Sequence, residues 1–201
     1  IGGGSADAAA TLLGLARFHG LDGKIDLAPI ARKLGADVPM CLNSGVLRAT
    51  GTGSNIQDLE IPVSFPAILV NPGIGLSTPD VFGALENKDN PPIEFGDHLL
   101  NAEALSEMRN DLEEPAITLV PQIADVLDLI SRSTDCLLSR MSGSGTTCFG
   151  IFNSQKAARD ASEFVRLTRP DWWCVETTLG SYDKNERIKL VQGEEVIHEQ
   201  Y

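Results

Sequence analysis

With 201 residues and 42% hydrophobic side chains, the chain is long enough for one large core or two small ones. Its formal net charge of −12 excludes a partner such as nucleic acid, which needs clustered Lys and Arg along its phosphates. A nucleotide is not excluded, because one local site rich in backbone N–H groups can hold it.

The elements follow in chain order. Residues 5–19 predict a helix, Ala-rich and with Leu12, Leu13 and Ala16 at helical spacing, stopped by Gly20. Asp7 then falls in its first turn. A second helix is predicted over 27–34, with Asp26 as N-cap and Gly35 at its end. Residues 45–50, the turn Gly51-Thr52-Gly53 and residues 55–61 read as a β-hairpin. An apolar strand at 67–70 ends in Asn71-Pro72-Gly73. Thr78 reads as the cap of a helix with Pro79 at its first position. The pattern over 99–131 is helical, broken at Asn110-Asp111 and Pro121. Strands at 136–140 and 147–152 flank the loop Ser142-Gly143-Ser144-Gly145, and a helix at 155–167 and a strand at 173–178 follow. Trp172 and Trp173 read as packing residues. Strands and helices interleave without an internal repeat, which predicts an α+β protein.

No apolar run reaches the roughly 18 residues of a membrane span, and the first residues lack the charged region of a secretory signal. Cys41, Cys136, Cys148 and Cys174 form no CxxC pair and lie away from His19, His98 and His198. No metal site is expected from them; they read as free thiols in a reducing cytoplasm.

Chemistry concentrates in two places. Glycines Gly2-Gly3-Gly4 run into an Ala-rich helix, letting the backbone approach a bulky anion while the helix N-terminus offers unpaired N–H groups. Phosphate suits such a site, and a flexible linker is the alternative. The segment is no P-loop, since no Lys-Ser or Lys-Thr follows, and it lacks the GxGxxG spacing. Asp37 stands at a turn before Val38-Pro39. Because a residue preceding Pro favours extended geometry, the carboxylate is expected to be held. It is either a plain turn residue or the group that takes an acceptor hydroxyl's proton.

Gly2-Gly3-Gly4-Ser5 resembles the second signature of the GHMP kinases, with Ala6 where a second Ser is usual. Leu34-Gly35-Ala36-Asp37-Val38-Pro39 is similar to one branch of that family, which acts on 4-diphosphocytidyl-2-C-methyl-D-erythritol. Gly51-Thr52-Gly53, Asn71-Pro72-Gly73 with Ser77-Thr78-Pro79 and Phe82, and Asn110-Asp111-Leu112-Glu113 agree in order. The string from Met141 to Phe149 looks like the third signature, and the likeness covers residues 1 to about 180. It implies a two-lobed α+β kinase that uses ATP and Mg²⁺ to phosphorylate the 2-hydroxyl of this cytidine-diphosphate-linked methylerythritol. By the same likeness Gly2, Gly3, Gly4, Ser5 and Ala6 hold ATP phosphates, Asp37 is catalytic, and Thr78 and Phe82 lie near the substrate. Phe82 either stacks on cytosine or packs in a core. Ser142, Gly143, Ser144, Gly145 and Thr146 either present N–H groups to the phosphoryl group or only turn the chain. A homoserine or mevalonate type of kinase, and a nucleotide-binding remnant without chemistry, are the other readings.

The resemblance also sets expectations for the organisation. Residues 1–60 correspond to the later part of an ATP-binding N-terminal lobe, 61–180 to the C-terminal lobe, and 181–201 to an atypical tail. Family members carry a first signature, with a catalytic Lys, ahead of the glycine loop; this chain begins within the second signature, and a longer parent is expected.

Overall fold

The computed structural model describes residues 3–43, 45–51, 53, 55–59, 61, 63–87, 89–91 and 101–180. The expectations for Gly2, Thr52 and the tail at 181–201 lie outside them. Two compact units divide at Val63.

In the first unit, α1 (Gly3–Phe18) begins within the glycine run, two residues earlier than its composition predicts. Glycine is a poor helix former in an interior, but in a first turn it forfeits little, because those N–H groups have no intrahelical acceptor in any case. Asp7 is thereby moved out of the first turn, which holds no acidic residue. Helix α2 (Ala28–Leu34) starts one residue later than expected, with Leu27 rather than Asp26 at its N-cap position; Asp26 Oδ1 accepts the Ala28 N–H at 2.9 Å from the residue before the cap. A short third helix, α3 (Val38–Cys41), corrects the expectation of an extended Val38. The pre-proline preference yields there because burial wins: Val38 and Pro39 are both buried, and Pro39 sits in a first turn, where its missing N–H costs nothing. Ala9 of α1, Ala31 of α2 and Val38 form one small cluster, in which the alanines let the three helices approach closely. The predicted hairpin is present, with β1 (Leu47–Thr50) antiparallel to β2 (Asn55–Asp58). Gly51 and Gly53 turn it at φ of 66° and 79°, where a side chain would be strained.

The second unit is built on a four-stranded sheet in the order β4-β5-β3-β6, from β3 (Ser64–Asn71), β4 (Cys136–Met141), β5 (Cys148–Phe152) and β6 (Trp173–Gly180). Strand β5 runs antiparallel to both β3 and β4. Five helices accompany it: α4 (Thr78–Ala84), α5 (Ala102–Ser106), α6 (Glu113–Leu119), α7 (Gln122–Ser131) and α8 (Gln155–Thr168). Apolar stripes on α7 (Ile123, Val126, Ile130) and α8 (Ala158, Ala161, Val165) bury against Ile68, Val70 and Phe152 of the sheet. Ser154 caps α8, its hydroxyl accepting the Ala157 N–H at 3.2 Å. A Cβ at Gly150 would lie 2.5 Å from Ile130 Cγ2, so glycine there sets how close α7 comes to β5. The α+β class and the order of elements agree with the sequence; Trp172 is buried under Arg169, whose guanidinium lies 3.9 Å from its ring, and Trp173 is exposed.

Three thiols in this unit are harder to ionise than a free cysteine. Burial pushes Cys136 and Cys174 up, and pushes the fully buried Cys148 up to about 12, with the negative charge of Glu113 adding to it. A raised folded-state pKa stabilises in full below the unfolded thiol's pKa of about 8.5 and is lost as pH climbs toward the folded value. Urea midpoints should therefore fall as pH rises from about 9 toward about 12, and Cys148→Ala should flatten that fall measurably.

Candidate functional site

The best-defined polar construction in the second unit surrounds the loop between β4 and β5. Ser142 N–H donates to Thr147 O at 2.9 Å and Gly145 N–H to Ser142 O at 3.0 Å, closing a tight turn. Gly143 and Gly145 hold φ of 56° and 85°. At Gly145 a Cβ would also meet Met141 Sδ at 2.7 Å, whereas at Gly143 it would meet nothing within 4 Å. Side chains then pin the turn from several directions. The Thr78 and Ser144 hydroxyls lie 2.8 Å apart, Thr146 Oγ1 donates to Ile74 O at 2.9 Å, and Asn71 Nδ2 donates to Thr147 Oγ1 at 2.8 Å. From α6 and the turn before it, Asn110 Nδ2 donates to Met141 O at 3.0 Å and Gly143 O at 2.8 Å, and Glu113 Oε2 accepts the Met141 N–H at 2.8 Å. Among the described residues the N–H groups of Gly143 and Ser144 are engaged by none of these bonds.

The sequence therefore selects this loop and Thr78 correctly as neighbours, although Thr78 does something other than expected. Helix α4 takes Ser77 as its N-cap position, and Thr78 is its first helical residue. A β-branched hydroxyl inside the first turn is free to reach sideways, and it reaches Ser144. Phe82, one turn along, is 51% exposed, so it is not the core aromatic that one reading allowed. Arg140, beside Glu113, donates to Leu105 O and Ser106 O at 2.8 and 3.2 Å. Burial lowers its pKa and the charge of Glu113 partly restores it. An open cavity of about 710 Å³ lies alongside, lined by Arg109, Asn110, Glu113, Arg140 and the segment after α4.

In the first unit, Gly3 and Gly4 are exposed and a Cβ at either would meet nothing within 4 Å. The first-turn N–H groups of Gly3, Gly4 and Ser5 have no acceptor within the helix, and Ser5 is half-buried beside them while Ala6 is exposed. Asp37 is exposed at the N-cap position of α3, and its carboxylate makes no capping bond. It precedes Val38, which packs against Ala9 of the helix that the glycines open. This ties Asp37 to α1 by packing rather than by a pre-proline backbone lock.

Two family models match in chain order, the GHMP kinases N terminal domain over residues 1–45 and the GHMP kinases C terminal model over residues 83–169. The chain belongs to the GHMP kinase family. Proteins named 4-diphosphocytidyl-2-C-methyl-D-erythritol kinase resemble it closely. One from Cereibacter sphaeroides is 44% identical over 180 residues, 86% of this chain and 64% of that protein. One from Rhizobium etli is 47% identical over 183 residues, 90% of this chain and 62% of that protein. The chain thus spans less than two thirds of the length of these relatives. A crystal structure of 4-(cytidine 5'-diphospho)-2C-methyl-D-erythritol kinase superposes with a TM-score of 0.73 at 33% identity, over 90% of this chain and 66% of that one. A homoserine kinase from Cytophaga hutchinsonii shares the fold, with a TM-score of 0.64 at 17% identity over 88% of this chain and 64% of its own.

Two asparagines whose contacts the sequence does not show hold the turn. Asn110, read there as a helix breaker, is the residue that bonds both ends of the β4–β5 turn, and Asn71 bonds its far side. The available signal was an Asn in a break between helices, where a side-chain amide can serve backbone from elsewhere. Among the described residues no helix is long and apolar enough to cross a membrane, and no three His, Cys, Asp or Glu side chains gather to hold a metal. The turn's two glycines should respond unequally to alanine. Gly145→Ala meets both the positive φ and the Met141 contact and should cost about 1–3 kcal/mol, while Gly143→Ala should cost about 1 kcal/mol from φ alone; paired urea titrations check the order.

Proposed function

We propose that the protein transfers the γ-phosphoryl group of ATP to the 2-hydroxyl of 4-diphosphocytidyl-2-C-methyl-D-erythritol, a step in non-mevalonate isoprenoid precursor synthesis. The observation that carries this reading is the 44–47% identity, over 86–90% of this chain, with proteins bearing that kinase's name. Thiols at Cys136, Cys148 and Cys174 that form no disulfide, and the need for ATP, support a cytoplasmic setting.

The residues fit the chemistry as follows. ATP phosphates lie against the N–H groups of Gly3, Gly4 and Ser5 at the start of α1, with Gly2 before them and Ala6 after. Bare glycines allow close approach, and the helix dipole adds partial positive charge in a protein that is otherwise acidic. With no cluster of three metal-binding side chains among the described residues, Mg²⁺ suits a site made mainly of nucleotide phosphates, where it neutralises charge. Asp37 accepts the proton of the 2-hydroxyl as its oxygen bonds to the γ-phosphorus. The bond from that phosphorus to the β-phosphate oxygen breaks, and ADP leaves with the electron pair. The N–H groups of Gly143 and Ser144, which take no partner among the described residues, suit the charge on the transferring group. Thr78 and exposed Phe82 suit the acceptor, Phe82 by stacking on its base.

Asp37→Asn keeps the size and removes the base. Its turnover of the cytidylyl acceptor should fall by about 10²–10⁴-fold, with ATP affinity held within about threefold. Near-wild-type turnover would remove Asp37 from the mechanism. Homoserine and mevalonate offered in parallel should be poor acceptors; preference for either would reassign the substrate, and ATP binding without transfer to any acceptor would leave only a nucleotide-binding role.

A further inference from the structure

Strand β4 is an edge of its sheet, so the backbone groups on its outer side need partners from elsewhere. At its last residue they are all met by two side chains. Glu113 takes the Met141 N–H, and Asn110 takes the Met141 carbonyl and, two residues on, the Gly143 carbonyl. Both amide hydrogens of Asn110 serve these carbonyls, and its oxygen accepts the Leu112 N–H at 3.1 Å. It is therefore itself held rigidly at the start of α6. Its two acceptors straddle Ser142: the Met141 carbonyl shares a peptide plane with the Ser142 N–H, and the Gly143 carbonyl shares one with the Ser144 N–H, so Asn110 fixes the direction of the Ser144 N–H. Among the described residues the Ser144 N–H has no partner, and neither has that of Gly143 before it.

We propose that Asn110 and Glu113 form a positioning pair that aims the Ser144 N–H at the transferring phosphoryl group, acting through Met141 and Gly143 and touching no substrate. The proposal rests on the kinase reading above. An alanine at position 110 leaves the Met141 and Gly143 carbonyls without this donor, and the Gly143 carbonyl turns the Ser144 N–H with it. Displacements near 1 Å at such donors cost turnover far more than affinity.

The test compares Asn110→Ala, Glu113→Ala and Glu113→Gln with the unaltered protein, using ATP and the cytidylyl acceptor. Asn110→Ala and Glu113→Ala should lower kcat per folded molecule by about 10–100-fold, with both KM values within about threefold. Glu113→Gln retains an oxygen for the Met141 N–H and should recover most of the loss. Hydrogen exchange over 142–147 should quicken in both alanine variants and return toward normal in the Gln variant. Unchanged kcat per folded molecule, equal losses in Glu113→Ala and Glu113→Gln, or unaltered loop exchange would overturn the pair. Wild-type inactivity toward the cytidylyl acceptor would count against the kinase reading alone, and loop exchange would then decide whether the pair sets the turn.

Discussion

An edge strand must have its outward backbone groups satisfied, and at the end of β4 that requirement shapes the chemistry of the second unit. Met141 gives its N–H to Glu113 and its carbonyl to Asn110. Once those bonds exist, α6 is anchored to the sheet edge and the following turn has a fixed entry. The remaining ties, from Thr78, Ile74 and Asn71, fix its other sides. Gly145 is then required for two independent reasons, its left-handed backbone and the Met141 sulfur against its Cα. The hydrophobic core beneath, from Ile123 to Phe152, makes this edge rigid enough to hold the turn.

The first unit works on a different principle. Its core is small and rests on alanines, so α1 and α3 come close, and the groups proposed for chemistry lie at helix starts rather than at a strand end. Glycines open α1, and Asp37 precedes α3. An acidic chain binding a polyanion needs such local solutions: backbone N–H groups concentrate positive potential without adding basic side chains. The chain therefore carries two separate sets of donors, one at a helix N-terminus and one in a turn.

Much of this was legible in the sequence where local chemistry decides. The hairpin follows from Gly51 and Gly53, and β4–β5 from apolar runs around glycines. Failures cluster where tertiary contacts outvote local preference. Val38 is helical because its burial against Ala9 outweighs the pre-proline bias. Helix α1 starts at Gly3, since glycine's low propensity counts for little in a first turn. Thr78 had the composition of a cap, but its hydroxyl had a better partner in Ser144, 66 residues away in sequence. Asn110 stands in a string that follows the family's order, but its bonds to the turn were illegible for the same reason, because its two acceptors lie 31 and 33 residues on. Motif order, by contrast, identified the glycine loops without any of these contacts.

Phosphorus-31 NMR of the protein with ATP, Mg²⁺ and 4-diphosphocytidyl-2-C-methyl-D-erythritol most directly tests whether these two sets of donors serve one reaction. The account predicts a new phosphomonoester signal coupled to the methylerythritol skeleton, growing in step with ADP. Intact ATP beside an unchanged acceptor, or ADP and inorganic phosphate without that signal, would contradict it.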